Sequence, residues 1–181
     1  MVLGCVLRVI SQVPFGIYTT HTASFDPLLL YLLTFPRRTT FYSCQLCSAN
    51  EIVPTVPTVA AINGHCFAGA ALLSLACDYR VMTDGAKRNT WMCMNEVDFG
   101  APWPVSFAAL VRAKVSATVT HKFAVEGHRF TPPEARESGL VDEIVAGGTR
   151  GVLKRAQEIA QEKAPKARAG VWGVIKVRLP F

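Results

Sequence analysis

The chain has 181 residues, half of them apolar, with six cysteines and a net charge of +6. That balance excludes a disordered polyelectrolyte and leaves room for one domain with a sizeable core. The longest apolar block near the front, residues 28–35, is far short of the roughly 20 residues of a membrane span, so no transmembrane helix is expected.

In chain order, residues 1–53 are an atypical segment with few charges and no sustained period. Its opening run, "MVLGCVLRVISQVPFGIY", is apolar but broken by Arg8, and has neither a basic leader nor an Arg-rich, Ser-rich pattern, so no targeting signal is read from it. A short helix is expected at 26–35, with Asp26 as cap and Pro27 in its first turn. Cys44-x-x-Cys47 has the spacing of half a zinc site, yet no second pair at ligand spacing follows, and no metal is expected. Cys66, Cys77 and Cys93 sit in apolar segments and read as small buried hydrophobes of a protein kept in a reducing compartment.

From Pro54 onward the elements are sharper. Residues 58–62 form a β-branched, apolar run suited to a buried strand, Asn63-Gly64 a turn, and residues 68–77 a helix with no polar face. Strands at 79–83 and 90–94 follow, with Asp84-Gly85 as a turn between them, which is the order of parallel α/β structure. Helices are expected at 105–114 and 118–126. Thr131-Pro132-Pro133-Glu134 then predicts a capping box that opens a helix ended by Gly139. The last expected helix, 149–163, carries Val152, Leu153, Ala156, Ile159 and Ala160 on one face, with Pro165 as its stop. From Arg150 to the end there are eight basic and two acidic residues, so the remainder of the chain is neutral. A solvated helix face, an anionic small molecule and nucleic acid each fit that basic end.

Two places carry chemistry. A helix that starts at Gly69 directly after a strand and turn presents its free N–H groups and positive dipole end to whatever lies beyond the strand, and the small side chains of Ala68, Gly69, Ala70 and Ala71 would let a carbonyl approach the backbone. Close packing of helix on strand accounts for the same small residues. Glu96, in "MCMNEVDFGAPWP", follows an apolar strand among Met92, Met94, Val97 and Phe99; desolvation there would raise its pKa and suit a general base. An ordinary solvated loop acid is the alternative, and Asp98 is only two residues away.

The stretches "PTVAAINGHCFAGAALLSLACDYRVMT", "WMCMNEVDFGAP" and "EGHRFTPPEARESGLVDEIV" together resemble the enoyl-CoA hydratase/isomerase family, the crotonase superfamily, and within it the eukaryotic enoyl-CoA isomerases. The resemblance covers residues 54 to about 176. It implies an α/β fold, a spiral of ββα units with a helical C-terminal part, occupying residues 54–181. It also implies that an acyl-CoA thioester is bound at Ala68, Gly69 and Leu72, with the Gly69 N–H as one oxyanion donor and Glu96 as the base. No separate cofactor is implied, since coenzyme A is part of the substrate. Homotrimers and a peroxisomal or mitochondrial location are implied too, with no role for nucleic acid.

Hydratases of this family use a second Glu one turn into the helix after the oxyanion glycine, and Leu72 occupies that place here. An isomerase that moves a 3-enoyl double bond to position 2 is therefore expected ahead of a hydratase or a catalytically silent acyl-CoA binder. The family's first oxyanion loop, Phe-Ser-x-Gly-x-Asp-Leu, has no counterpart in "GIYTTHTASF", so the N-terminal portion reads as truncated or replaced, with residues 37–53 as an insertion. Lys166 and Lys176 are the candidates for the phosphates of coenzyme A.

Overall fold

A computed structural model describes residues 6–12, 18–24 and 56–178, the first two segments and residues 177–178 by backbone alone. The helix expected at 26–35, the Cys44-x-x-Cys47 pair and the segment 37–53 lie outside the described residues. The N-terminal region contains two strands that its periodicity did not announce, β1 (Val6–Gln12) and β2 (Tyr18–Ser24), paired antiparallel. β1 also pairs antiparallel with β3 (Thr58–Ile62), from Leu7 opposite Ile62 to Ser11 opposite Thr58. A hydrogen-bonded ladder therefore ties the atypical segment to the rest of the chain.

β3 is buried along its whole length, as an unbroken Thr-Val-Ala-Ala-Ile run demands of a strand covered on both faces. The chain then forms β4 (Cys66–Phe67), α1 (Gly69–Ala76), β5 (Tyr79–Thr83) and β6 (Met92–Cys93). β5 lies parallel to β3, β6 parallel to β4, and β7 (Glu143–Val145) parallel to β5. The large sheet has the order β2-β1-β3-β5-β7, and β4-β6 forms a second, two-stranded sheet. One strand to each sheet and then a helix is the expected ββα turn of a spiral. The strand expected at 90–94 contracts to two residues because its partner β4 is itself only two residues long.

The remainder is helical: α2 (Val105–Lys114), α3 (Ala117–Thr120) continued by a π-type turn at His121–Val125, α4 (Pro132–Glu137), α5 (Gly148–Ala167) and α6 (Val171–Arg178). At the start of α4 the Glu134 carboxylate accepts the Thr131 N–H at 2.8 Å while the Thr131 side chain accepts the Glu134 N–H, which is the expected box. α5 departs from expectation, since Pro165 lies inside it rather than stopping it. Proline deletes one i→i−4 bond, but this close to the end the last turn still closes, with the Arg168 N–H on the Pro165 carbonyl at 3.3 Å. None of the described helices is long and apolar enough to cross a membrane.

α5 covers one face of the large sheet, packing Val152, Ala156, Ile159 and Ala160 on Val59, Ala61 and Val81. These are the residues its helical spacing put on one side. The opposite face buries Ala60, Ile62 and Met82 under Leu72 and Leu75 of α1, Val111 of α2 and Phe123. The terminal helix is held by charge. Lys176 on α6 meets both carboxylate oxygens of Asp78 at 3.0 Å, and Asp78 also accepts the Thr58 N–H at 2.8 Å and the Thr58 hydroxyl at 3.0 Å. Lys176 is thereby committed to an intramolecular partner and is withdrawn as a phosphate ligand, whereas Lys166 stays exposed on α5.

Both partners of the Asp78–Lys176 pair are largely shielded, at 13% and 18% side-chain exposure. Removing one would leave the other unneutralised in a poorly solvated place. Asp78→Ala should lose about 3–5 kcal/mol in urea unfolding. A loss below about 0.5 kcal/mol would mean that the pair behaves as an ordinary surface contact.

Candidate active site

The two sequence candidates leave the same small sheet side by side. β4 and β6 are in register, Cys66 beside Met92 and Phe67 beside Cys93, and their ladder is extended by the Cys66 N–H on the Trp91 carbonyl at 2.8 Å and the Ala68 N–H on the Cys93 carbonyl at 2.9 Å. Neighbouring strands are about 4.8 Å apart. Gly69 comes two residues after the end of β4, and Glu96 three residues after the end of β6, so a common end of the ladder positions both.

Ala68 makes the turn from strand to helix with φ 51° and ψ −124°, the sole non-glycine residue with positive φ among the described residues. An L-residue held there costs on the order of 1–3 kcal/mol, and surrounding structure must enforce it. The Cys93 carbonyl does so from one side; burial of Ala68, Ala70 and Ala71 does so from the other. Helix geometry gives the first N–H groups of α1 no intrahelical acceptor. No side chain caps this end, and its first turn contains no acid. The small residues thus serve close packing and leave the Gly69 amide end of the dipole uncompensated by any cap. Leu72 donates its N–H to the Ala68 carbonyl at 3.1 Å, and its side chain is buried in the core, 4% exposed.

Glu96 opens a single 3-10 turn, Glu96–Phe99, closed by Gly100 at φ 70° with the Ala101 N–H on the Glu96 carbonyl at 3.0 Å. The residue is buried, 7% exposed, and Oε2 has no hydrogen-bond partner among the described residues. Burial raises its pKa above the ordinary value. Its own backbone amide and the Trp103 indole pull in the opposite direction. Asp98, by contrast, is exposed, so the two acids of "NEVDF" separate cleanly. The shielding expected from Val97 and Phe99 is not found: they are 50% and 52% exposed, whereas Met92 and Met94 are fully buried.

Trp103 is the site residue the sequence did not announce. It lies between Pro102 and Pro104 in a stretch that reads only as a turn, and nothing in its spacing points back to Glu96. Cys77 and Cys93 are quiet, as expected. Cys93 donates to the Gly127 carbonyl at 3.1 Å, and burial pushes its thiol up to about 11; burial takes Cys77 up to about 12. A separate open cavity of about 350 Å³, lined by Asn63, Thr83, Lys87, Arg88 and Thr149 among others, shares no residue with Gly69 and Glu96.

A family model described as enoyl-CoA hydratase/isomerase matches residues 47–175. An enoyl-CoA delta isomerase 2, peroxisomal, of Arabidopsis thaliana is 33% identical over 116 residues, 64% of this chain and 47% of that protein. Enoyl-CoA delta isomerase 3 of the same plant is 30% identical over 158 residues, 86% of this chain and 57% of that protein. The chain thus spans about half the length of these curated relatives. Among solved structures, an enoyl-CoA hydratase from Mycobacterium ulcerans aligns with a TM-score of 0.60 and 26% identity, over 86% of this chain and 70% of that one.

A buried carboxyl with a raised pKa binds its proton more readily in the folded state than in the unfolded one. Between the ordinary value of 4.5 and the folded value, folding stability therefore falls as pH rises, and the cost of the buried charge persists above that window. Glu96→Gln removes the charge and keeps the shape. Its Tm should exceed that of the wild type at about pH 8, with the gap closing below about pH 4. A Gln variant less stable than wild type at the higher pH would show that the carboxylate is welcome where it sits.

Proposed function

From the premise that this chain belongs to the enoyl-CoA hydratase/isomerase family, we propose that it isomerises 3-enoyl-CoA to 2-enoyl-CoA, with Glu96 as the proton carrier and the Gly69 N–H as an oxyanion donor. The observation that carries the reading is the pairing at one strand end of an uncapped helix N-terminus with a buried carboxyl whose Oε2 has no partner among the described residues. The first can meet negative charge that builds on an oxygen. The second can take a proton and give it back.

The proposed steps use both groups. The ionised Glu96 removes a proton from C2, and the C–H electron pair flows into the thioester to give a dienolate, whose oxygen is met by the Gly69 amide. The protonated carboxyl then delivers the same proton to C4, and the double bond that lay between C3 and C4 comes to rest between C2 and C3. No atom is gained or lost. A carboxyl with a raised pKa suits both halves, since it is basic enough to accept and acidic enough to return the proton. An amide donor of this kind is worth about 2.7–4 kcal/mol of barrier in the enzymes where one has been removed.

Leu72 favours isomerisation over hydration. A hydratase must hold and protonate a water, and the position one turn into α1 offers a buried alkyl chain instead of a carboxyl. The fatty-acid β-oxidation context, the acyl-CoA substrate, a trimeric assembly and a peroxisomal or mitochondrial location come with this reading and are supported by family likeness alone.

With a 3-enoyl-CoA, conjugation of the double bond should be detected by the rise in ultraviolet absorbance of the 2-enoyl thioester. Turnover should fall about 10²–10⁴-fold in Glu96→Gln, and no 3-hydroxyacyl-CoA should form from the 2-enoyl substrate. Equal turnover by wild type and variant would remove Glu96 from the mechanism.

A further inference from the structure

We propose that the open cavity at the carboxyl ends of β3, β5 and β7 binds the phosphate group of a small molecule, held by Lys87, Arg88 and the amide end of α5, at a place separate from Gly69 and Glu96. Nothing in this depends on the isomerase reading.

Topology makes the cavity. The three strands are parallel neighbours, with Ile62 beside Met82 and Met82 beside Ile144, so their carboxyl ends lie together. Open α/β sheets take their ligands outside such ends, where loops and helix N-termini gather. Asn63 follows β3, Thr83 ends β5, and Gly147 and Gly148 join β7 to α5; all four line the space of about 350 Å³. Asn63 Nδ2 reaches the Thr149 hydroxyl at 3.2 Å and ties two of the walls together.

The loop between β5 and β6 puts two cations on the rim. A Cβ on Gly148 would lie 3.9 Å from Lys87 Cδ, so the Lys87 stem reaches the start of α5. Arg88 lies across the Asn63-Gly64 turn: a Cβ on Gly64 would collide with its Nη2, which donates to the Asn63 carbonyl at 3.2 Å. That bond engages one N–H of a guanidinium that has several. Both side chains are exposed, and none of the ion pairs among the described residues includes either. The acids nearest in the chain are engaged elsewhere. Asp84 Oδ1 accepts the Ala86 N–H at 3.1 Å, Asp142 pairs with Arg80, and Glu143 pairs with Arg155.

Polar groups of the walls act in the same sense. Asn63 has a vacant end, since its Oδ1 has no partner among the described residues. The Thr149 hydroxyl can donate as well as accept, so this amide can turn its NH2 toward an anion and keep that bond. α5 is 20 residues long, with no acid in its first turn and no side-chain cap, which leaves its first N–H groups and positive dipole end unanswered. Charge and shape select the ligand. Two adjacent cations favour a dianion over a single carboxylate, and a guanidinium meets the oxygens of a phosphate in pairs. A space of this size belongs at the small end of the range for small-molecule pockets.

The test titrates inorganic phosphate into the intact 15N-labelled chain, with ionic strength held constant by sodium chloride, and follows the amide signals of Gly148 and Thr149. They should shift to saturation. Lys87→Ala and Arg88→Ala should each raise Kd about tenfold, while Arg168→Ala, the same change of charge at the far end of α5, should leave it unchanged. Arg88→Ala also removes the contact with the Asn63 carbonyl. Lys87 has no hydrogen bond or ion pair to lose among the described residues, so its variant carries the test if the other does not fold. Shifts that never saturate, equal affinity in wild type and Lys87→Ala, or acetate bound as tightly as phosphate would each overturn the proposal. Excess coenzyme A should not displace the phosphate; displacement would assign the cavity to the substrate's own phosphates and end the case for a separate site. Saturable binding weakened by Lys87→Ala, in a chain that does not turn over 3-enoyl-CoA, upholds the site and removes only the isomerase reading.

Discussion

The hydrogen bond from the Ala68 amide to the Cys93 carbonyl is the constraint on which the candidate site depends. It closes the short β4–β6 ladder and holds Ala68 in a backbone conformation that the residue would not adopt alone. A peptide turned this way ends a strand and begins a helix within one residue. It thereby places the unpaired amides of α1 beside the point where the neighbouring strand releases Glu96. If the ladder slipped by one residue, Gly69 and Glu96 would leave on different faces, because side chains alternate along a strand.

Around that bond the fold sets two electrostatic demands against each other. In the proposed reaction an enolate oxygen would be stabilised by amides whose partners have been withheld, and the first turn of α1 has neither a capping side chain nor an acid of its own. A carboxyl close by must lose water if it is to hold a proton strongly enough to pass it on, and Glu96 lies in that state. Each group is costly for folding: one leaves donors unsatisfied, the other buries a charge. Stability is recovered elsewhere, in the α5–sheet contact and in the Asp78 network that ties α6 to the start of β3.

Much of this is visible in the residues. Thr58–Ile62 and Tyr79–Thr83 are short, β-branched and flanked by turn residues, and local pattern alone delimits them correctly; the same is true of Val105–Lys114 and of the Thr131–Glu134 box. The rest depends on partners. β6 is two residues rather than five because ladder length is decided by β4. β1 and β2 are strands because β3 offers an edge, and their own composition is too mixed to say so. Pro165 fails to stop α5 because a helix loses little when only its last turn is disturbed. At the site, Glu96 and Gly69 stand out by residue type and position. Trp103 does not, since its effect on the Glu96 carboxyl comes from a proximity in space that no periodicity encodes. Lys176 misleads in the opposite direction: a basic residue near the end looks free for phosphate until Asp78 is seen to hold it.

The claim at the centre is that a thioester oxygen is polarised at the Gly69 amide. Its carbonyl stretch reports this directly, so the infrared difference spectrum of a 13C-carbonyl-labelled, non-isomerisable saturated acyl-CoA bound to the protein is the most direct measurement. Polarisation by the α1 amides predicts a carbonyl band at lower frequency than that of the same compound in water. A bound ligand whose band stays at or above the aqueous frequency would contradict the account.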